Sequence, residues 1–500
     1  MSYSAAVDHL YALGHELAPA EPSTPRRKFD LIHMRILAAA LGEPQAAFPA
    51  VLVAGTNGKG STSATLASIL TAAGYRTGLY TSPHLVRVNE RIQIDGVEIS
   101  DDDFARLYFR VDDTARRLVE VGDLPHPPSF FEVLTALAFL YFAGDSPAAQ
   151  PVDIAVLEVG LGGRLDATNV VDPLLSVITD IALDHQDYLG NTIAEITREK
   201  AGILRPNGTL ITLPQHPEAN QAIGEAAATL NLSAINAADY IPPAIPGSQS
   251  SRAVISTGAE RSGETRFPAA DVSEPQYEAA SGNHYTITLN GETLHIDSPL
   301  SGRHQQRNIA LAMASAVALR NKYSYNTTQN NPKRNHGSYK ITNSAIEAGI
   351  RNTKWPGRLE LIRMAQGPAI LLDVAHNPAG AWTLRAVISH LPESQPRTLL
   401  FSCLRDKKLT EMAQILFPLF DASADRPHDH ILFAPIDNPR ATPVDDLLTA
   451  ARALDIPAKA APDIAAALDQ ARALTPPNGL IIATGSIYLV GEIRRLAVQG

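Results

Sequence analysis

Apolar positions along the chain fall into two rhythms. Short runs rich in valine, isoleucine and leucine alternate with longer segments in which apolar residues recur every three to four positions. The short runs read as buried strands and the longer segments as helices. Their alternation predicts parallel β-α-β units whose sheet is covered on both faces. Pro49 to Ala54, Ile154 to Val159, Leu175 to Thr179 and Thr209 to Leu213 are the expected strands of the first half. Ser61 to Ala73 is an expected helix with Leu66, Ile69, Leu70 and Ala73 on one face, and Gly74 ends it.

The pattern then lapses. From about Ile241 to Ala280 the chain is rich in Pro, Ser, Gly and Ala without sustained period, which predicts loops or short edge strands. Tyr285 to Ile296 alternates as an antiparallel hairpin does, with Asn290-Gly291 at its turn. Tyr323 to Lys340 is polar and low in complexity, an expected exposed insertion. After Trp355-Pro356-Gly357-Arg358 a second α/β pattern begins, with strands at Ile370 to Val374, Thr398 to Ser402, Ile431 to Ala434 and Gly479 to Ala483. Thr410 to Phe420 and Ile464 to Leu474 are helical segments between them. Two units follow, residues 1–357 and a smaller one over 358–500.

Composition narrows the partners. With 500 residues the chain exceeds the reach of one hydrophobic core. A net charge of -10 speaks against a nucleic-acid surface and for small-molecule substrates. Cys403 is the only cysteine, so no intrachain disulfide is available and a reducing compartment fits. The first residues show no basic segment followed by an apolar core, and the longest apolar runs fall far short of the roughly 20 residues that span a bilayer. A cytoplasmic, monomeric enzyme is expected.

Candidate chemistry gathers at the predicted strand ends, where open α/β sheets bind ligands. The loop Gly55-Thr56-Asn57-Gly58-Lys59-Gly60-Ser61 follows a strand and precedes a helix, so its amides and Lys59 suit phosphate. It departs from the strict phosphate-loop pattern, with Val53 in place of the first glycine and Gly60 between Lys59 and Ser61. A glycine-rich turn without nucleotide is the plainer alternative. Glu158 closes a second strand and suits a hard divalent cation, or else caps a local turn. His185, at a third strand end, reads alone as a structural histidine and gains interest only beside Glu158. Thr192 and Glu195 form a capping box, and in the helix it starts Lys200 lies on the stripe of Ile193, Ile196, Ile203 and Leu204. An inward lysine either snorkels or needs a charge partner or a covalent modification. Ser129 and Glu132 match a second capping box. Asp373 ends a strand of the second unit, and Arg358 offers a guanidinium for phosphate across the cleft between the units.

Taken together these residues resemble the folate branch of the Mur ligase superfamily, from about Phe29 to Gly491. The resemblance rests on Gly55 to Ser61, Tyr80-Thr81-Ser82-Pro83-His84-Leu85, Asn89-Glu90-Arg91-Ile92, the Glu158 and His185 segments, Arg198-Glu199-Lys200-Ala201-Gly202-Ile203 and Asp373 to Pro378. It implies an architecture: a mostly parallel-sheet ATP-binding domain of the phosphate-loop type, then a smaller Rossmann-like α/β domain. It implies ATP on Thr56, Asn57, Gly58, Lys59, Gly60 and Ser61, with Asn308, Arg358 and Asp373 on the adenine and ribose side. It implies one or two Mg²⁺ ions on Ser82, Glu158, His185 and a carbamylated Lys200. Lys59, Lys200 and His376 are the implied catalytic groups. A pterin site is implied at Ser129, Phe130, Phe131 and Glu132 with Leu165, Asp166 and Ala167, although His33 stands where relatives commonly carry arginine. The expected reaction adds L-glutamate to dihydropteroate or a reduced folate through an acyl phosphate. Another ligase of the superfamily acting on a cell-wall precursor, and a non-catalytic nucleotide binder, are the competing readings.

Overall fold

The architecture comes from a computed structural model that describes residues 2–14, 30–145, 150–242, 282–289, 291–326, 340–392, 394–422, 426 and 428–499. The predicted strands of the first half belong to one sheet. Its members are β1 (Ala50–Ala54), β2 (Thr77–Tyr80), β3 (Ile92–Ile94), β4 (Val97–Glu98), β5 (Ile154–Glu158), β6 (Pro173–Ile178), β7 (Thr209–Thr212) and β8 (Ser233–Asn236). They lie in the order β4-β3-β2-β5-β1-β6-β7-β8, parallel except for β3 and β4. β1 and β5 are buried throughout, as strands covered on both faces must be. Paired as Val53 with Glu158 and Ala54 with Ile178, the central strands bring their C-terminal ends to one edge.

Hydrophobic clusters fill both sides of that sheet. On one side lie the helices Leu31–Ala40, Asp101–Glu120 and Phe130–Phe142. On the other lie Lys59–Ala72, Arg303–Asn326 and Asn343–Arg351. The helix after the phosphate loop begins at Lys59, two residues earlier than its apolar stripe suggests. It is not one-sided: Ser61, Thr62, Ser63 and Thr65 are as buried as Leu66 and Leu70, because two helices as well as the sheet cover it. The helix carrying Lys200, Ile193–Ala201, ends before Ile203 and Leu204, which are buried from the loop that follows.

β9 (Asn283–Leu289) and β10 (Glu292–Ser298) form the expected hairpin, with Leu289 paired to Glu292. Asn290 and nearly all of the Ile241 to Ala280 stretch lie outside the described residues. Of the expected insertion from Tyr323 to Lys340, helix runs on to Asn326, and residues 327–339 lie outside the described residues. The second sheet comprises β11 (Arg358–Ile362), β12 (Ala369–Asp373), β13 (Arg397–Phe401), β14 (His430–Phe433), β15 (Lys459–Ala460) and β16 (Leu480–Thr484). Their order is β11-β12-β16-β13-β14-β15, parallel except for β11. Two further clusters pack on its faces, so each half has its own core. Among the described residues no helix is long and apolar enough to cross a membrane.

Candidate active site

The loop after β1 is held by the end of the neighbouring strand. The Thr56 and Asn57 amides donate to the Asp180 carbonyl at 2.8 and 3.1 Å, and the Thr56 hydroxyl donates to the Ala182 carbonyl at 3.0 Å. Gly58 then takes φ +88°, with Asn308 so close that an added Cβ would lie 2.2 Å from its Oδ1. Only glycine meets both demands. Lys59 starts the 14-residue helix, and its ammonium donates to the Thr56 carbonyl at 3.1 Å. The first-turn amides at Gly60 and Ser61 stand at the N-terminus of this helix, a position that suits an anion.

Two buried ionisable groups sit behind this loop. Glu158, 3% exposed, accepts a hydrogen bond from the Ser82 amide at 3.1 Å. Burial pushes its carboxyl up to about 7 against the pull of Lys59, the Ser82 amide and Arg358. Lys200, on the inner face of its helix, donates to the Gly55 carbonyl at 2.7 Å. Burial first and Lys59 second bring its amine down to about 7, so much of it is neutral at neutral pH. Its partner is thus a loop carbonyl rather than an acid.

A divalent cation fits this arrangement. Among the described residues no three His, Cys, Asp or Glu side chains cluster as a ready metal site. Glu158 nevertheless is a carboxylate whose burial exceeds what its neighbours compensate, and a hard cation would supply the missing charge. Ser82, whose amide Glu158 accepts, lines a neighbouring cavity together with His185. His185 takes φ +49° at the start of the short helix Gln186–Leu189, and burial and Lys407 keep it neutral, down to about 3.

A cavity of about 640 Å³ lies between the two units, with Ser82 and His185 in its lining. Ser129, Phe131 and Glu132 line it with Leu165, Asp166 and Ala167. Ser129 caps the helix Phe130–Phe142, and the Glu132 carboxylate accepts from the Ser129 amide and hydroxyl, both at 2.7 Å. The Asp166 carboxylate is engaged by its own loop, accepting from the Leu161 and Thr168 amides and the Thr168 hydroxyl. Phe130 does not join them: it is buried with its ring 5.3 Å from the Arg91 guanidinium, outside the cavity lining. His33 meets His126 edge-on at 5.0 Å outside the lining.

From the second unit, Arg358 and His376 reach the cavity. Arg358 lies between Asp373 and Glu158 in charge terms, and burial lowers its pKa. Asp373 accepts the Leu359 and Ala375 amides at 3.0 and 2.9 Å, fastening the bulge of β11. His376 Nδ1 donates to the Val374 carbonyl at 2.8 Å, which leaves a lone pair on Nε2. Burial and Lys407 lower this imidazole to about 4. The sequence reading passed over Asp184, Asn377, Lys407, Arg440 and Ser486. Of these, Lys407, Arg440 and Ser486 line the cavity. Lys407 and Ser486 follow β13 and β16, so the strand-end rule could have found them.

Comparison with known proteins accords with this geometry. The Mur ligase middle domain matches residues 140–316, and the Mur ligase glutamate ligase domain matches residues 357–487. The chain is 34% identical to the dihydrofolate synthase/folylpolyglutamate synthase of Bacillus subtilis over 92% of this chain and 93% of that one. It is 31% identical to the folylpolyglutamate synthase of Lacticaseibacillus casei, each chain covered in full. Its fold matches the Mycobacterium tuberculosis folylpolyglutamate synthase complexed with ADP at a TM-score of 0.77, 29% identity and 99% coverage of both chains. It matches Escherichia coli FolC in complex with DHPP and ADP at 0.73, with 26% identity over 100% of this chain and 98% of that one. With both halves of the fold and nearly the whole length aligned, the chain belongs to the folylpolyglutamate synthase/dihydrofolate synthase family of the Mur ligases, which are ATP-dependent, amide-bond-forming enzymes.

Proposed function

We propose that this chain adds L-glutamate to the carboxylate of dihydropteroate, of a reduced folate, or of both. One observation carries the reading: a single cavity is lined by Ser82, His185 and the 160–167 loop of the first unit and by Arg358, His376 and Lys407 of the second, with Glu158 bonded to the Ser82 amide. Residues 1–357 would hold ATP and the pterin, and 358–500 would bring glutamate. A monomer in the cytoplasm suffices for this chemistry.

The substrate carboxylate attacks the γ-phosphorus of ATP, ADP leaves, and an acyl phosphate forms. Lys59 and the amides of the first helical turn neutralise the charge that spreads over the transferred group. Mg²⁺ held by Ser82, Glu158, His185 and a carbamylated Lys200 would add positive charge at the phosphates. Arg358, with Asn308 and Asp373, would steady the rest of the nucleotide. The glutamate amine then attacks the acyl carbon, loses a proton and expels phosphate. The Nε2 lone pair of neutral His376 is suited to accept that proton, and Lys407 and Arg440 suit the carboxylates of glutamate. Closure around the cavity would keep water from the acyl phosphate.

The test is glutamate incorporation with dihydropteroate, tetrahydrofolate and a UDP-sugar acceptor side by side. The pterin substrates should be extended and the UDP-sugar left untouched. Lys59→Ala should abolish ATP-dependent ligation, and ligation surviving at the wild-type rate would remove Lys59 from this role.

A further inference from the structure

Asp184 has no part in the chemistry above, yet three side chains of the second unit converge on it. Lys407 Nζ lies 2.9 Å from Oδ1, Asn377 Nδ2 donates to Oδ2 at 3.2 Å, and His376 Nε2 stands 3.8 Å from that same oxygen. The His185 amide donates to Oδ1 from Asp184's own side of the cleft. The Lys407 and Asp184 side chains are only 6% and 10% exposed, so water does not screen the pair as it does surface ion pairs. Asn377 adds a third arm, since its Nδ2 also reaches Asn57 Oδ1 in the phosphate loop at 3.1 Å. Its own Oδ1 accepts the Gly380 amide, which seats it at the start of the helix Pro378–Ile388.

We propose that Asp184 is a positioning residue that latches the second unit onto the phosphate loop and holds Lys407 over the cavity. The purpose of the latch rests on the ligase reading above; the latch itself does not. A carboxylate buried between two units is costly unless it is paired, and docking supplies the pair. Undocking exposes both charges to water, so the interface has two tolerable states and one group that decides between them.

Asp184→Asn keeps shape and loses charge; Lys407→Met keeps the apolar stem. Small-angle scattering with and without a non-hydrolysable ATP analogue should find the wild type compact and both variants expanded. The closed-to-open ratio should fall by roughly 30-fold or more, as for other desolvated interfacial charge pairs. The exchanged pair, Asp184→Lys with Lys407→Asp, should recover part of the compaction. In steady state the single variants should raise KM for glutamate by a larger factor than they lower kcat. Wild-type scattering from both single variants would overturn the latch. So would Asp184→Asn closing normally while losing kcat, since that would make Asp184 a chemical group. A wild type that extends no pterin carboxylate would sink the ligase reading and leave the scattering result standing.

Discussion

At the scale of single residues, Lys200 shows how burial prepares chemistry. Its amine would meet a free-energy penalty if charged, and its pKa of about 7 lies below the ordinary lysine value of 10.5. Between those two values the unfolded chain binds more protons than the folded one, so the folded state gains stability as pH rises through that window. Relative to Lys200→Met, the wild type should gain on the order of 4 kcal/mol between pH 7 and pH 10.5. Urea midpoints of the two proteins at both pH values check this, and parallel curves would contradict it. A neutral amine is also the form whose lone pair attacks carbon dioxide, giving a carbamate and a released proton. Wild type with ¹³C-bicarbonate should therefore show a carbamate resonance that Lys200→Met lacks, and bicarbonate should raise ligase activity. The inward face of Lys200 was legible from helical periodicity. Its hydrogen bond to Gly55, 145 positions away, was not, because no local pattern records which loop a helix faces.

At the scale of elements, what is local in sequence was legible and what depends on neighbours was not. Both capping boxes are present as read, because Ser129 with Glu132 and Thr192 with Glu195 satisfy amides within one turn. The hairpin of β9 and β10 also follows from its own alternation. The helix Lys59–Ala72 follows from its apolar face, but the burial of Ser61, Thr62, Ser63 and Thr65 does not, because two other helices cover them. The caps can be separated by function. Thr192→Ala and Ser129→Ala should each lower stability by about 1 kcal/mol, the usual cost of losing a cap. Only Ser129 lines the cavity, so only Ser129→Ala should also raise KM for the pterin substrate. Equal KM changes in the two variants would remove Ser129 from the substrate site.

At the scale of the whole molecule, the relation between the two sheets is what the sequence could least disclose. Asp184 and Lys407 lie 223 positions apart, and each alone is an ordinary loop charge. A second contact between the units depends on an absent side chain. Gly491, inside the helix Ile487–Gln499, lies so near the Leu85 carbonyl that a Cβ would come within 1.9 Å of that oxygen. The Leu85 loop cannot easily retreat, because the Glu90 carboxylate accepts the Leu85, Val86 and Arg87 amides at 2.6, 2.8 and 2.7 Å. Leu85 also packs among the apolar residues of the second unit. Gly491→Ala should therefore wedge the units apart without unfolding either, since each sheet keeps its own cores. Misplacing groups across the cleft by an ångström is enough to cost on the order of 100-fold in rate. The expected outcome is such a fall in kcat with unchanged far-ultraviolet circular dichroism, and a deeper loss for the bulkier Gly491→Val. Activity within a few-fold of wild type in Gly491→Val would mean that the approach of the Leu85 loop to this helix is not what sets the spacing of the two units.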